Sequence, residues 1–281
     1  MRHLLTPGDV AGPVLVVDVS AVSAFLVLAI PGEEEKNWLR REIAASSDEE
    51  VLKAAQAMLS ENGWEKPSLT LVCGMGRHDE SELSAEGRAA RMGRWREELR
   101  ISEGCPEKCL HAEMEGWEVA PLLSSMKAVW GKVLAADSGI AAVLAALSLP
   151  ALRDRSWNEG VTVVFADDMH TQAFMVFREK ILGLYENHAG LSREALLADL
   201  KEVRLNWLPD EQVRAAGGHG CICGDFPAEA EGFRPTWILG TRREELAGAG
   251  RLASPCGDAR FERCFGMLYG LDLMTQAEAG A

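Results

Sequence analysis

Two stretches decide the fold, VLVVDVSAVSAFLVL at 14–28 and VTVVFADDMHTQAFMVF at 161–177. Each opens on an unbroken β-branched run, Val14–Val19 and Val161–Ala166, the pattern of a strand buried on both faces. Each then passes through a short loop carrying an acidic residue, Asp18 in the first copy and Asp168 in the second. A second apolar run follows, Ala24–Ile30 or Thr171–Phe177, and the second copy is longer by two residues. One copy in each half reads as an internal repeat, so Val14–Val19 and Val161–Ala166 are expected to be the first strands of two similar sheets.

The rest of the chain fits around these hairpins. Ser47 with Glu50 three residues on is a capping box opening a helix from about Asp48 to Ser60. Leu69–Gly76 reads as a buried strand, 81–100 as charged and helical, and 101–118 as irregular. Between Pro121 and Leu149 the composition predicts one or two helices, broken near Asp137-Ser138-Gly139, whose small residues allow close backbone approach. The segment 151–160 reads as irregular. Beyond it come strands over 161–168, 171–177 and 181–188, an amphipathic helix over 191–203, and a short helix over 209–216. A glycine-rich loop is expected over 217–225, then a strand over 235–240 and a helix over 261–271. The boundaries expected are a first α/β lobe over 1–120 and a second over 121–281.

Composition removes several classes. The 281 residues carry 29 basic and 43 acidic side chains, a formal charge of −14, so nothing basic is present domain-wide to meet nucleic-acid phosphates. The longest apolar stretch, Gly139–Leu149, is about half of the roughly 20 residues a bilayer needs, so no membrane partner is expected. The first residues lack a signal core, and seven cysteines do not suggest a disulfide framework. A cytoplasmic location is the expectation.

Candidate chemistry lies at strand ends. His170, His188 and His219 each sit at a strand end or in a loop, an arrangement suited to a metal or an acid–base site, although any one of them could simply satisfy local backbone. Cys221 and Cys223 form a C-x-C pair beside His219, with Cys256 and Cys264 further on. Structural zinc draws its ligands from two separated pairs, buried unligated thiols are the plainer reading, and no residue is assigned as a metal ligand. Cys105 and Cys109 have the first spacing of a radical-enzyme C-x₃-C-x₂-C triplet, but the third position is Ala112, so no iron–sulfur cluster is expected. Arg242 and Arg243 have the guanidinium forks that match an anionic ligand, or they pair with Glu244 and Glu245.

A strand–Asp–loop–strand unit in two lobes resembles the actin, sugar-kinase and heat-shock ATPase superfamily. The second half is similar to a family known as "putative pyruvate formate-lyase activating enzyme", a domain of unknown function. Its Asn-Val-Gly-Asn-Gly-His-Thr motif resembles 165–171 and its Phe-Glu-His-His-Thr-Gly motif resembles 185–190. Gly217-Gly218-His219-Gly220, Leu239–Arg243, Cys256-Gly257-Asp258 and Arg263–Leu268 follow in the family's order; the last stands for Gly-Cys-Phe-Gly-Leu-Leu. Asp137-Ser138-Gly139 resembles its Asp-Thr-Gly. The resemblance covers about 135–270 and implies an α/β fold of two ribonuclease-H-like lobes of the actin type.

By that resemblance Asp18 and Asp168 face a cation, and His170, His188 and His219 line an inter-lobe cleft with Asp258 beside them. Asp137, Thr171, Glu186, Gly218, Arg242 and Arg243 contact the ligand. The implied ligand is a nucleotide, as its magnesium complex, or another phosphorylated small molecule. Backbone N–H groups approach phosphate most closely where no Cβ intervenes, yet Ser20 and Asp167-Asp168-Met169 stand where the family has glycines, and Asn187 replaces the first histidine of the His-His pair. The phosphate loops are therefore degenerate. A non-catalytic scaffold with a protein partner, and a metal-dependent hydrolase built on the histidines, are the alternatives.

Overall fold

Alternation along β1 (Val14–Val19) decides what lies on each side of the first sheet. Successive strand side chains leave on opposite faces, so Val14 and Val16 enter one apolar cluster while Leu15 and Val17 enter another. Both faces are dry, which is why the strand reads as a continuous β-branched run. β2 (Ser23–Ala29) pairs antiparallel with β1, Val16 opposite Val27, and β3 (Leu39–Ala44) pairs antiparallel with β2. On the other side β4 (Leu69–Gly74) and then β5 (Val133–Asp137) run parallel to β1, giving the order β3-β2-β1-β4-β5.

The computed structural model describes residues 12–20, 23–30, 32–44, 47–74, 120–158, 161–166, 170–177, 180–188, 220–224, 235–239, 252–253 and 257–279, most of those in the second sheet by backbone alone. That sheet has the order β8-β7-β6-β9-β10-β11. Its members are β6 (Val161–Ala166), β7 (His170–Phe177), β8 (Lys180–His188), β9 (Gly220–Gly224), β10 (Pro235–Leu239) and β11 (Leu252–Ala253). β6, β7 and β8 form an antiparallel meander, and β9, β10 and β11 follow β6 in parallel. The first strand of each sheet thus has a hairpin partner on one side and a parallel strand on the other.

Five α-helices are described. α1 (Asp48–Glu61) begins at Ser47, whose Oγ accepts from the Glu50 N–H at 3.4 Å, as the capping box predicts. α1 and α2 (Ala120–Trp130) close one face of the first sheet, burying Val51, Met58, Leu59, Leu122 and Met126 against Leu15 and Val17. α3 (Ser138–Leu147) and α5 (Ala259–Ala279) pack on each other and on both sheets. Val14, Val16 and Leu71 of the first sheet and Val161, Val163 and Val176 of the second fall into a single buried cluster with these two helices. Every residue of α3 is buried. A Cβ added at Gly266 of α5 would stand 2.0 Å from the Ala141 carbonyl oxygen, so the helices cross with backbone almost on backbone. α4 (Pro150–Asn158) follows α3 and lies against β6 and β7.

Several expectations are corrected. Residues 133–137 form a strand within the stretch expected to be helical, because Leu134 and Ala135 continue the first sheet beside Leu71 and Val72. Residues 150–158 are helical rather than irregular; Pro150 opens the helix, Leu152 anchors it in the core, and its polar remainder hides the periodicity. Residues 220–224 are a strand rather than a loop, since pairing on both sides with β6 and β10 outweighs the glycines. Residues 39–44, which look merely polar, are an edge strand with alternating half-buried and exposed residues. The first sheet takes its last strand, β5, from 133–137, and α5, from much further along the chain, packs on β1, β2 and β4. The helices expected over 81–100, 191–203 and 209–216 lie outside the described residues.

Candidate functional site

Asp18 follows Val14 and Val16 on the same face of β1, so it meets the helix layer between the sheets rather than water. Its neighbour in register on β4 is Cys73, which shares that face with Leu69 and Leu71. The carboxylate is 1% exposed, and burial of an unpaired carboxylate is expensive. Two arginines on α5 meet it. Arg263 donates from Nε to Oδ1 at 3.1 Å and from Nη2 to Oδ2 at 2.7 Å, a bidentate fork. Arg260 donates from Nε to Oδ2 at 2.8 Å and from Nη2 to the Asp18 carbonyl at 2.7 Å. The Cys73 thiol donates to Oδ1 at 3.2 Å. Burial alone would raise the Asp18 pKa, but the Arg263 charge and hydrogen bonds, followed by those of Arg260, hold it below its ordinary value. The Cys73 thiol is pushed the other way, by its hydrogen bond with Cys264, by burial and by the Asp18 charge.

The β1–β2 turn is closed by serines. Ser20 Oγ donates to the Ser23 carbonyl at 3.0 Å and accepts from the Ser23 N–H at 3.2 Å. Arg260 Nη1 then reaches Ser23 Oγ at 2.5 Å and Glu42 Oε1 of β3 at 3.1 Å. One guanidinium thereby ties β1, β2 and β3 to the start of α5. Asp258 stands at the head of that helix, where its Oδ1 accepts from the backbone N–H groups of Arg260 and Phe261 at 2.9 and 3.1 Å. Trp38 holds α5 from the other side, stacked on Phe265 at 6.0 Å between ring centroids and tilted on Phe261 at 6.1 Å.

The other expected site residues are placed by backbone or lie outside the description. Asp137 ends β5 beside Gly74, at the same carboxyl edge of the parallel strands as Asp18. His170 opens β7 and stands directly opposite His188, the last residue of β8; Thr171 is opposite both Asn187 and Ala166, and Gln172 is opposite Glu186. The sequence suggests the two histidines lie on strands one and three of the meander, whereas the register sets them on neighbouring strands. Asp168, Gly218, His219, Arg242 and Arg243 fall outside the described residues. The residues not singled out beforehand are Arg260, Arg263 and Cys73. The available signal was Arg263, which stands where the family motif has glycine, with Arg260 three residues earlier on the same helical face. Among the described side chains, no three His, Cys, Asp or Glu groups could together hold a metal ion.

Comparison with known proteins places the chain in a family. The family described as "Putative pyruvate format-lyase activating enzyme" matches residues 33–245, and the chain belongs to it. No curated protein matches the sequence. Among solved structures the chain is similar to the ethanolamine utilization protein EutJ from Carboxydothermus hydrogenoformans, at 12% identity and a TM-score of 0.49, covering 96% of this chain and 92% of that one. It is also similar to an inorganic polyphosphate/ATP-glucomannokinase from Arthrobacter sp. strain KM, at 12% identity and a TM-score of 0.45, covering 94% and 99%. A Bacteroides thetaiotaomicron protein with actin-like ATPase fold and unknown function matches at 7% identity and a TM-score of 0.44, covering 94% and 99%. No described helix is long and apolar enough to cross a membrane.

Proposed function

We propose that this protein is a ligand-binding member of the actin-like ATPase fold, with two ribonuclease-H-like lobes, that does not use Mg-nucleotide at its first sheet. The observation that carries the reading is the occupancy of Asp18. Both of its carboxylate oxygens accept guanidinium hydrogen bonds from this chain's own Arg260 and Arg263. A carboxylate that holds hydrated Mg²⁺ needs free lone pairs and room for the ion's water shell. Here it would first have to give up two little-exposed arginines whose hydrogen bonds occupy both of its oxygens. The residues of the first sheet therefore do not fit a Mg-nucleotide, and the turn serines, which bond each other, are consistent with that. Asp18 serves as the counter-ion that fastens α5 to the sheet.

Ligand binding then falls to the carboxyl edge of the second sheet, where β6, β9 and β10 end and where β7 starts and β8 finishes; ligands of open α/β sheets bind at such edges. Radical chemistry forms no part of the reading, since the cysteine triplet it requires is missing from the sequence. Titration calorimetry of the full-length protein with Mg-ATP and Mg-ADP tests the proposal. No saturable binding is expected. Stoichiometric binding that disappears in Asp18→Asn would overturn it.

A further inference from the structure

We propose that β3 is a docking edge for a second copy of this chain, the two β3 strands pairing antiparallel about a two-fold axis at Arg41 so that the two first sheets join. The inference goes beyond the ligand-binding reading and does not depend on it. β3 ends the order β3-β2-β1-β4-β5, and among the described residues no strand pairs with its outer side. Such an edge carries a row of backbone donors and acceptors that another strand can meet, and edges are commonly blunted by proline, by a bulge or by charge. β3 has no proline, and its pairing with β2 runs unbroken from Leu28–Leu39 to Ser23–Ala44. Its charges, Arg40, Arg41 and Glu42, are of both signs, and their order selects the partner.

A two-fold interface must be complementary to itself. Opposed residues share a face of the joined sheet, so the axis has to pass through a residue rather than between two. With the axis at Arg41, Arg40 of each copy stands opposite Glu42 of the other, and Leu39 stands opposite Ile43. An axis at Arg40 would set Arg40 against itself and Leu39 against Arg41. An axis at Glu42 would set Glu42 against itself and Arg41 against Ile43. The Arg41 register therefore joins unlike charges and joins apolar residues. The two kinds of pair also lie on different faces. Leu39 and Ile43 pack partly buried on the Leu15–Val17 side, whereas Arg40 and Glu42 reach Phe261 and Arg260 of α5 on the other.

The side chains are placed to make these pairs. Glu42 is 60% exposed although its Oε1 accepts from Arg260, and a carboxylate has a second oxygen to offer. Arg40 lies over the Phe261 ring at 3.7 Å and donates from Nη2 to the Glu35 carbonyl, and a guanidinium has further donors for another acceptor. Arg41, which alone would face its own copy, has its charge met by Glu61 of α1. The formal charge of −14 on each chain opposes association at low salt, while a Debye length of about 8 Å at physiological ionic strength screens that long-range term and leaves the contact pairs.

The test is sedimentation equilibrium of the full-length protein at physiological salt over a wide range of concentrations, together with hydrogen–deuterium exchange. The expected result is reversible association of the 30.6 kDa chain to twice its mass, with exchange at 39–44 slowing as concentration rises. Arg40→Glu would oppose carboxylates at both charge pairs, and Glu42→Arg would oppose guanidinium groups, so each should weaken association about tenfold or more. Mixed one to one, the two variants bring unlike charges together at both pairs again, and a heterodimer should form with nearly wild-type affinity. Loss of stability alone would not be repaired by mixing, and circular dichroism checks the fold of each variant. A wild-type chain that stays monomeric, exchange at 39–44 independent of concentration, association unchanged in folded variants, or folded variants that stay apart on mixing would each overturn the proposal. The exchange measurement needs no variant, so it decides the matter if either variant fails to fold.

Discussion

At the scale of single residues, Asp18 has a pKa held below the ordinary 3.8 because two guanidinium groups outweigh its burial. The unfolded chain regains the ordinary value and binds protons that the folded carboxylate refuses. The stabilisation is therefore complete above about pH 5, which is above the unfolded value, and is lost as pH falls through the folded value. Asp18→Asn removes the counter-charge of both arginines and should cost about 3–5 kcal/mol near neutrality. Denaturant unfolding at a series of pH values checks both statements. The gap between wild type and variant should stay constant from pH 7 to 5 and narrow in more acidic solution. A gap independent of pH down to acid would mean that the carboxylate is not what holds the arginines. The position of Asp18 at a strand end was legible in the sequence; its partners were not, because a helix 242 residues away cannot be assigned to a strand face by periodicity.

Among elements, the strands β1, β2, β4, β6, β7, β8 and β10 could be read directly from their apolar runs, which in β1, β2 and β4 reflect burial on both faces. The elements that escaped reading are those whose structure comes from neighbours. β5 is too short and alanine-rich to stand out from the helices around it, and β9 holds two glycines that only pairing on both sides makes tolerable. The α3–α5 crossing is the element-scale counterpart. Its small residues suggested close approach, and Gly266 shows where the approach is closest. Gly266→Ala places a methyl group against the Ala141 carbonyl and the Ala145 N–H, both backbone atoms that no rotamer change can move. The cost should reach about 3 kcal/mol, the upper end for overpacking, visible as a lower denaturant midpoint at unchanged slope. A neutral result would require the two helices to slide apart without penalty.

For the whole molecule, α3 and α5 form the layer that both sheets share, so the sheets cannot keep separate cores. Removing residues 257–281 strips away Phe261, Phe265, Met267 and Leu268 together with both arginines, and it leaves Asp18 without its two cationic partners. The truncated chain should lose near-ultraviolet circular dichroism and bind a hydrophobic dye while keeping much of its far-ultraviolet signal, the signature of lost packing. A truncated chain with sharp, native-like unfolding would show that the first sheet closes without α5.

The tie between Asp18 and Arg260 also has a bearing on time. Synthesis proceeds at about 5–20 residues per second, so the 242 positions between the two residues correspond to roughly 10–50 s on the ribosome. Throughout that interval the face of β1 and β4 that will meet α5 carries an apolar surface and an ionised carboxylate that water must accommodate. The first sheet can complete this face only after Arg260 and Arg263 have been synthesised.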